Sequence, residues 1–169
     1  PIRKVKNPQG DRRTLTPLTI EEVKKLLHTY SGTYLSARLH MALVCGLRQG
    51  EVLGLRWQDI NLESGALNVS TQIQLIYGEP KFSRLKTNHS NRTLILTSET
   101  TEALRMHKNL IDYLKEINFE KWSESDLVFP RDDGSPRSSH VDYNEWQKAL
   151  KVCGINPRRL HDARHTAAT

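Results

Sequence analysis

Hydrophobic positions along the chain recur with two alternating periods. From Thr19, Val23, Leu26, Leu27 and Tyr30 return at helical spacing, and Thr19 followed by Glu22 forms a capping box, so a helix is predicted to open there. A second helix is predicted from about Tyr34 to a stop at Gly46, with Leu35, Leu39, Ala42 and Leu43 facing inward, and a short third from about Gln49 to Leu55. After Asp59 the period becomes two. ALNVS, TQIQLIY (Ile73, Leu75 and Tyr77 alternating) and RTLIL read as three short strands, with a polar, basic loop from about Gly78 to Asn91 before the last. Helical spacing returns near Ser98 with Ala103, Leu104, His107, Leu110, Ile111 and Leu114. DLVFP is expected to be extended and closed by the turn RDDGSP. Ser139 with Asp142 is read as the cap of a further helix carrying Val141, Trp146, Ala149, Leu150 and Cys153, ended by Gly154 and Pro157; a last helix opens at about Leu160. The pattern predicts an α+β fold, mainly helical, with a small three-stranded antiparallel sheet at one edge and no internal repeat.

Length agrees with one domain: 169 residues suffice for a hydrophobic core without disulfide or metal staples. The longest apolar run, Met41 to Leu47, falls far short of the roughly 20 residues of a membrane span, so no membrane association is expected. Residues 1–13 lack periodicity, contain Pro8 and Gly10, and read as a basic linker. The chain begins on Pro and ends on HTAAT, and both ends are expected to be internal to a longer protein. Cys45 and Cys153 show no metal-ligand spacing and fall on apolar helical positions, so both are expected to be reduced core thiols of an intracellular protein.

The net charge of +6 is unevenly placed, which suits a polyanionic partner met by particular loops. Residues 1–13 hold Arg3, Lys4, Lys6, Arg12 and Arg13 against Asp11; residues 81–92 hold Lys81, Arg84, Lys86 and Arg92 without an acid; residues 158–164 hold Arg158, Arg159 and Arg164 against Asp162. The rest of the chain is net negative.

Three segments carry candidate chemistry. In Gly46-Leu47-Arg48-Gln49-Gly50-Glu51, an acid one helical turn after an arginine can hold one side of the guanidinium and leave the other open; a lone Arg-x-x-Glu is more commonly a surface ion pair. In the loop Lys81 to His89, basic and hydroxyl residues suit phosphate contact and a lysine could donate a proton to a leaving oxyanion, equally with a solvated, charged hairpin. In Arg158 to His165, His161 and Arg164 share a helix face and together could bind an oxyanion and pass a proton. Zinc binding by His161 and His165 is disfavoured, since no Glu follows His161 and no third ligand is evident; His165 is expected to pack in the core.

The order of these segments is more specific than any one of them. Gly-Leu-Arg-x-Gly-Glu followed by Leu-x-Trp-x-Asp-Ile, a Lys-Thr hairpin ending in Arg-Thr-Leu-Ile-Leu, Leu-Val-Phe-Pro, and Leu-His-Asp-x-Arg-His-Thr-Ala-Ala-Thr closely resembles the catalytic domain of tyrosine recombinases, the phage-integrase family, over residues 14–169. The resemblance implies that Arg48 and Arg164 hold the non-bridging oxygens of the scissile phosphate and Glu51 buttresses Arg48. It implies that Lys86 is the general acid for the departing 5′ oxygen and that His161 assists proton transfer at a nucleophilic tyrosine. Lys81 and Arg84 share the loop with Lys86, which is preferred for its Lys-Thr match. Lys81, Arg84, Thr87, His89, Arg92, Arg158 and Arg159 are the expected DNA contacts. No cofactor or metal is implied, because the arginines supply the positive charge.

The family's tyrosine follows the His-x-x-Arg motif, whereas Tyr30, Tyr34, Tyr77, Tyr113 and Tyr143 all precede it, and Ala163 stands where a Leu is frequent. Residues 14–169 are therefore expected to be a catalytic domain truncated before its nucleophile and unable alone to form the phosphotyrosyl link, with residues 1–13 the linker from an absent N-terminal DNA-binding domain. The resemblance implies double-stranded DNA as partner and other recombinase subunits on DNA, with the fragment monomeric in solution. It also implies a mobile-element setting in the cytoplasm of a bacterial or phage-infected cell, at the nucleoid. The alternative is a non-catalytic DNA-binding domain of the same fold. A metal-dependent nuclease ranks last, because no acidic pair precedes a His in a ligand pattern.

Overall fold

The computed structural model describes residues 17–76, 79–84 and 91–160. Helix α1 spans Ile20–Thr29, and its predicted capping box is present: the Thr19 hydroxyl accepts from the Glu22 amide at 3.2 Å while the Thr19 amide donates to Glu22 at 2.9 Å. Helix α2 spans Ser36–Leu43, shorter than predicted, and Gly46 takes the left-handed conformation (φ 63°) that turns the chain toward α3, Gln49–Leu53. Strands β1 (Ile60–Asn61), β2 (Ala66–Val69), β3 (Thr71–Ile76), β4 (Glu79–Arg84) and β5 (Arg92–Ile95) follow. Helix α4 (Ser98–Ile117) is capped by Thr97, and α5 spans Ser139–Val152.

A three-stranded antiparallel sheet is present in the order β1-β2-β5, with membership that differs from the prediction. TQIQLIY does not join it. That segment forms β3, which pairs with β4 as a separate two-stranded hairpin from Thr71↔Arg84 to Ile76↔Glu79. Part of the expected basic loop is thus strand, because Lys81, Phe82 and Ser83 pair directly with Gln74, Ile73 and Gln72. A charged edge strand is compatible with its one-sided pairing.

Helix α2 separates two apolar cores. Leu35, Leu39, Ala42 and Leu43 pack with Leu26 of α1 and Trp146, Ala149 and Leu150 of α5. Ala37 and Met41 on its other side pack with Val52, Leu67, Val69, Leu104 and Phe129. Burial on both sides explains why a one-faced helical pattern identified only half of its inward positions. Two further expectations are corrected. Ser138, not Ser139, caps α5, its hydroxyl accepting from the Val141 amide at 3.2 Å, and Val141 is exposed. Asp142 takes no part in the cap, for its carboxylate is buried against Arg38. Cys153 lies in the core and Cys45 is half-buried, where burial pushes its thiol up to about 12 although the Arg92 charge acts in the opposite direction. Among the described residues no helix is long and apolar enough to cross a membrane.

Candidate active site

Arg48 is the N-cap residue of α3 and Glu51 its third residue, so the local geometry of a helix start brings the two together. The Arg48 amide donates to Glu51 Oε2 at 2.9 Å and its Nη1 donates to Oε1 at 2.9 Å. The Glu51 side chain has no exposed surface, whereas that of Arg48 is 46% exposed. One side of the guanidinium is therefore committed to a buried acid while the rest faces outward. A surface ion pair, the common fate of Arg-x-x-Glu, would leave the acid in solvent; this one does not.

Glu51 has a second partner that the sequence spacing did not predict. Arg92, the first residue of β5, donates from Nη2 to Oε2 at 2.9 Å and from Nη1 to Oε1 at 3.3 Å. Burial by itself would raise the Glu51 carboxyl, but the bonds from Arg92 and Arg48 outweigh it and hold the carboxyl below the ordinary range. The acid is ionised at neutral pH between two guanidiniums, and the trio keeps a net charge of about +1.

A cleft of about 550 Å³ opens beside Arg48, lined also by Gln49, Gln72, Arg137, Ser139 and Leu160. Its walls come from elements far apart in sequence, and close approach makes this possible. A Cβ on Gly50 would lie 2.9 Å from the Ile73 carbonyl oxygen, and one on Gly54 would lie 2.8 Å from the Ile73 amide nitrogen, so only glycine at these two positions of α3 and its C-cap lets β3 pack this near. Gln49 closes another side: its Nε2 donates to the Ser139 carbonyl and to Asp142 Oδ2, both at 2.8 Å. Asp142 in turn receives Arg38 Nε at 2.6 Å and Nη2 at 2.8 Å. Burial would raise the Asp142 carboxyl, but the Arg38 charge and the bonds from Arg38 and Gln49 hold it low. A buried network from α2 through α5 thus fixes the residue next to Arg48. Its one signal in the sequence is Arg38 within a mostly apolar helical run; the partner, Asp142, lies 104 residues away among mostly polar neighbours.

The segment leading to the His-x-x-Arg motif is pinned beside the same cleft. The Arg158 carbonyl accepts from Trp146 Nε1 at 2.9 Å and Gln147 Nε2 at 2.7 Å, and Leu160 lines the cleft with Arg48. Arg158 is half-buried and Arg159 exposed. Lys81 and Arg84 are exposed on β4, and Arg56 sits over the Phe82 ring at 4.9 Å from its centroid. Lys86, Thr87, His89, His161, Arg164 and the linker segment 1–13 lie outside the described residues. Among the described residues, no group of three or more His, Cys, Asp or Glu is placed to hold a metal ion.

Comparison with known proteins decides the family. The model of the phage integrase family matches residues 16–169. The chain belongs to the phage integrase family. Relatives within it include a tyrosine recombinase XerC-like protein of Caldanaerobacter subterraneus subsp. tengcongensis, 30% identical over 88% of this chain and 41% of that protein. Prophage integrase IntR of Escherichia coli is also 30% identical, over 99% of this chain and 43% of that protein. The chain spans between 41% and 51% of the length of the first curated relatives it matches. Among solved structures, the Tn1549 transposon integrase in complex with transposon right end DNA superposes with a TM-score of 0.74 at 21% identity, over 94% of this chain and 54% of that one. The XerA recombinase gives 0.70 at 21% identity, over 91% and 49%. The integrase fold is thus that of tyrosine recombinase catalytic domains, mixed α+β with a small antiparallel sheet.

Proposed function

We propose that the chain is the catalytic domain of a site-specific DNA recombinase or integrase. The observation that carries this reading is the half-gripped Arg48: a fully buried Glu51 fixes one side of the guanidinium, and the remainder borders a cleft shared with Leu160, the entry to the His-x-x-Arg motif. A fork oriented in this way suits a phosphodiester, to which arginine can donate paired, charge-assisted bonds.

In the proposed reaction Arg48 and Arg164 hold the two non-bridging oxygens and stabilise the charge of the pentavalent transition state. A tyrosine oxygen attacks phosphorus and gives its proton up with the help of His161. The bond to the 5′ oxygen breaks, and Lys86 protonates that oxygen, leaving a 3′-phosphotyrosyl linkage that a 5′ hydroxyl of the partner strand later reverses. All five tyrosines precede the His-x-x-Arg motif, so the nucleophile is proposed to lie outside these 169 residues, which alone are proposed not to form the covalent link. Lys81 and Arg84 on the hairpin, Thr87 and His89 after it, and Arg158 and Arg159 before the motif are proposed to meet the DNA backbone. The intact protein is proposed to act in the cytoplasm, on double-stranded DNA, as a tetramer with other recombinase subunits, and this fragment to be monomeric in solution. No metal or other cofactor enters the proposed steps.

The test is a protein in which the chain continues through the family's tyrosine, presented with a suicide DNA substrate carrying its cognate site. A covalent protein–DNA adduct is expected, and it should vanish when that tyrosine is replaced by Phe. Binding without any adduct would favour a DNA-binding domain of the same fold. An adduct that survives the Phe replacement, or cleavage abolished by EDTA, would overturn the mechanism.

A further inference from the structure

Arg92 is an expected DNA contact, and in the structure each of its terminal nitrogens donates to Glu51, with the side chain 25% exposed. Its position in the chain matters as much as its bonds. It opens β5, on the return from the segment that carries Lys86, and β5 pairs with β2 from Val69↔Arg92 to Ala66↔Ile95. Glu51 belongs to α3, 41 residues earlier in the chain. One buried carboxylate therefore joins the start of β5 to the arginine at the start of α3.

We infer that Arg92 is a positioning residue of the recombination site, which acts through Glu51 by holding that carboxylate in the place where it orients Arg48 and by tying the start of β5 to α3. The inference rests on the reading of Arg48 as a phosphate ligand. Three features support it. The Arg92–Glu51 contact is two-pronged, which fixes direction as well as distance. Glu51 has no exposed surface, so without Arg92 it would keep a single guanidinium against the cost of burial. Arg48 gives Glu51 only Nη1 and its amide, so its orientation depends on where the carboxylate is held.

A positioning role and direct phosphate contact predict different couplings. With the 169-residue chain and a fluorescently labelled 30-base-pair duplex, anisotropy titrations compare the parent, Arg48→Ala, Arg92→Gln and the double variant across a range of salt. Arg48→Ala is expected to weaken binding about tenfold. Arg92→Gln should weaken the parent several-fold but change little in the Arg48→Ala background, and Arg92→Lys should recover part of the loss. Equal losses in both backgrounds, with the salt slope reduced by about 0.9 by Arg92→Gln alone, would mean that Arg92 touches phosphate itself and would overturn the inference.

NMR titration of the Glu51 carboxyl separates this inference from the reading beneath it. Among the described residues, Arg48 and Arg92 act on that carboxyl, and the Cys45 thiol lies within reach of the Arg92 charge. An upward shift in Arg92→Gln, smaller in Arg92→Lys, supports the positioning role, and an unmoved midpoint overturns it. If Arg48→Ala leaves affinity unchanged, the phosphate reading of Arg48 falls while the titration still decides Arg92. Should Arg92→Gln fail to fold, Arg92→Lys carries both comparisons: a positioning role predicts weaker DNA binding only when Arg48 is present, and a loss of equal size without Arg48 overturns it.

Discussion

Replacing Asp142 by Asn tests the network behind the site. The Arg38 and Asp142 side chains are 8% and 2% exposed, and two bonds of 2.6 and 2.8 Å join them. Asn keeps the shape and removes the charge, which leaves the Arg38 guanidinium buried without its counter-ion. Breaking a buried pair from one side costs about 3–5 kcal/mol. Gln49 loses a charged acceptor as well, although the Ser139 carbonyl still receives its amide, so about 3 kcal/mol is the expected loss. At a urea m-value of about 2 kcal/mol/M, that lowers the unfolding midpoint by about 1.5 M. The double variant Arg38→Met with Asp142→Leu removes both charges and should return to within about 1 kcal/mol of the parent. A shift below about 0.5 M for the single variant, or a double variant as unstable as the single, would mean that the buried charge pair does not hold the two helices as described. The pH dependence has a definite sign. Asp142 is held low in the folded protein, so its contribution is complete above about pH 4 and is lost as pH falls through its native value, a limb that Asp142→Asn should flatten.

Gly54→Ala should cost about 1–3 kcal/mol in urea unfolding, because its Cβ would meet the Gln72 and Ile73 backbone at 2.8–3.0 Å and push β3 off α3; an unchanged midpoint would contradict the close approach. Arg48→Ala should reduce the slope of log affinity against log salt for duplex DNA by about 0.9 while leaving the circular dichroism spectrum unchanged, and an unaltered slope would count against phosphate contact. His107 is buried and donates Nε2–H to the Val128 carbonyl at 2.7 Å, and burial lowers its pKa although that bond opposes the shift. The unfolded chain therefore takes up the proton first, and stability should fall as pH drops below about 6.5; His107→Phe should lessen this fall in urea unfolding measured from pH 7.5 to 5.5.

Helices with one apolar face were legible in the sequence: the α1 capping box, the start of α4 and the Trp146 face of α5 all appear where periodicity placed them. Helix α2 was harder because burial on both sides erases the polar face that marks a helix boundary. The hairpin differs from its expected form for another reason. Period 2 identifies a strand but not its partner, and Lys81 and Arg84 made a paired strand resemble a loop. Within the site, the Arg48–Glu51 pair could be read from a three-residue spacing. Arg92 on Glu51 and Gln49 on Asp142 span 41 and 93 residues, and no local pattern encodes such contacts.

A crystal structure of the chain on duplex DNA is the decisive test of the proposal that this fold grips a single DNA phosphate. Arg48 is expected within hydrogen-bond distance of one phosphate, with Lys86, His161 and Arg164 converging on that same group and Glu51 still held between Arg48 and Arg92. Charged groups scattered over several phosphates, or Arg48 turned away from the DNA, would contradict it.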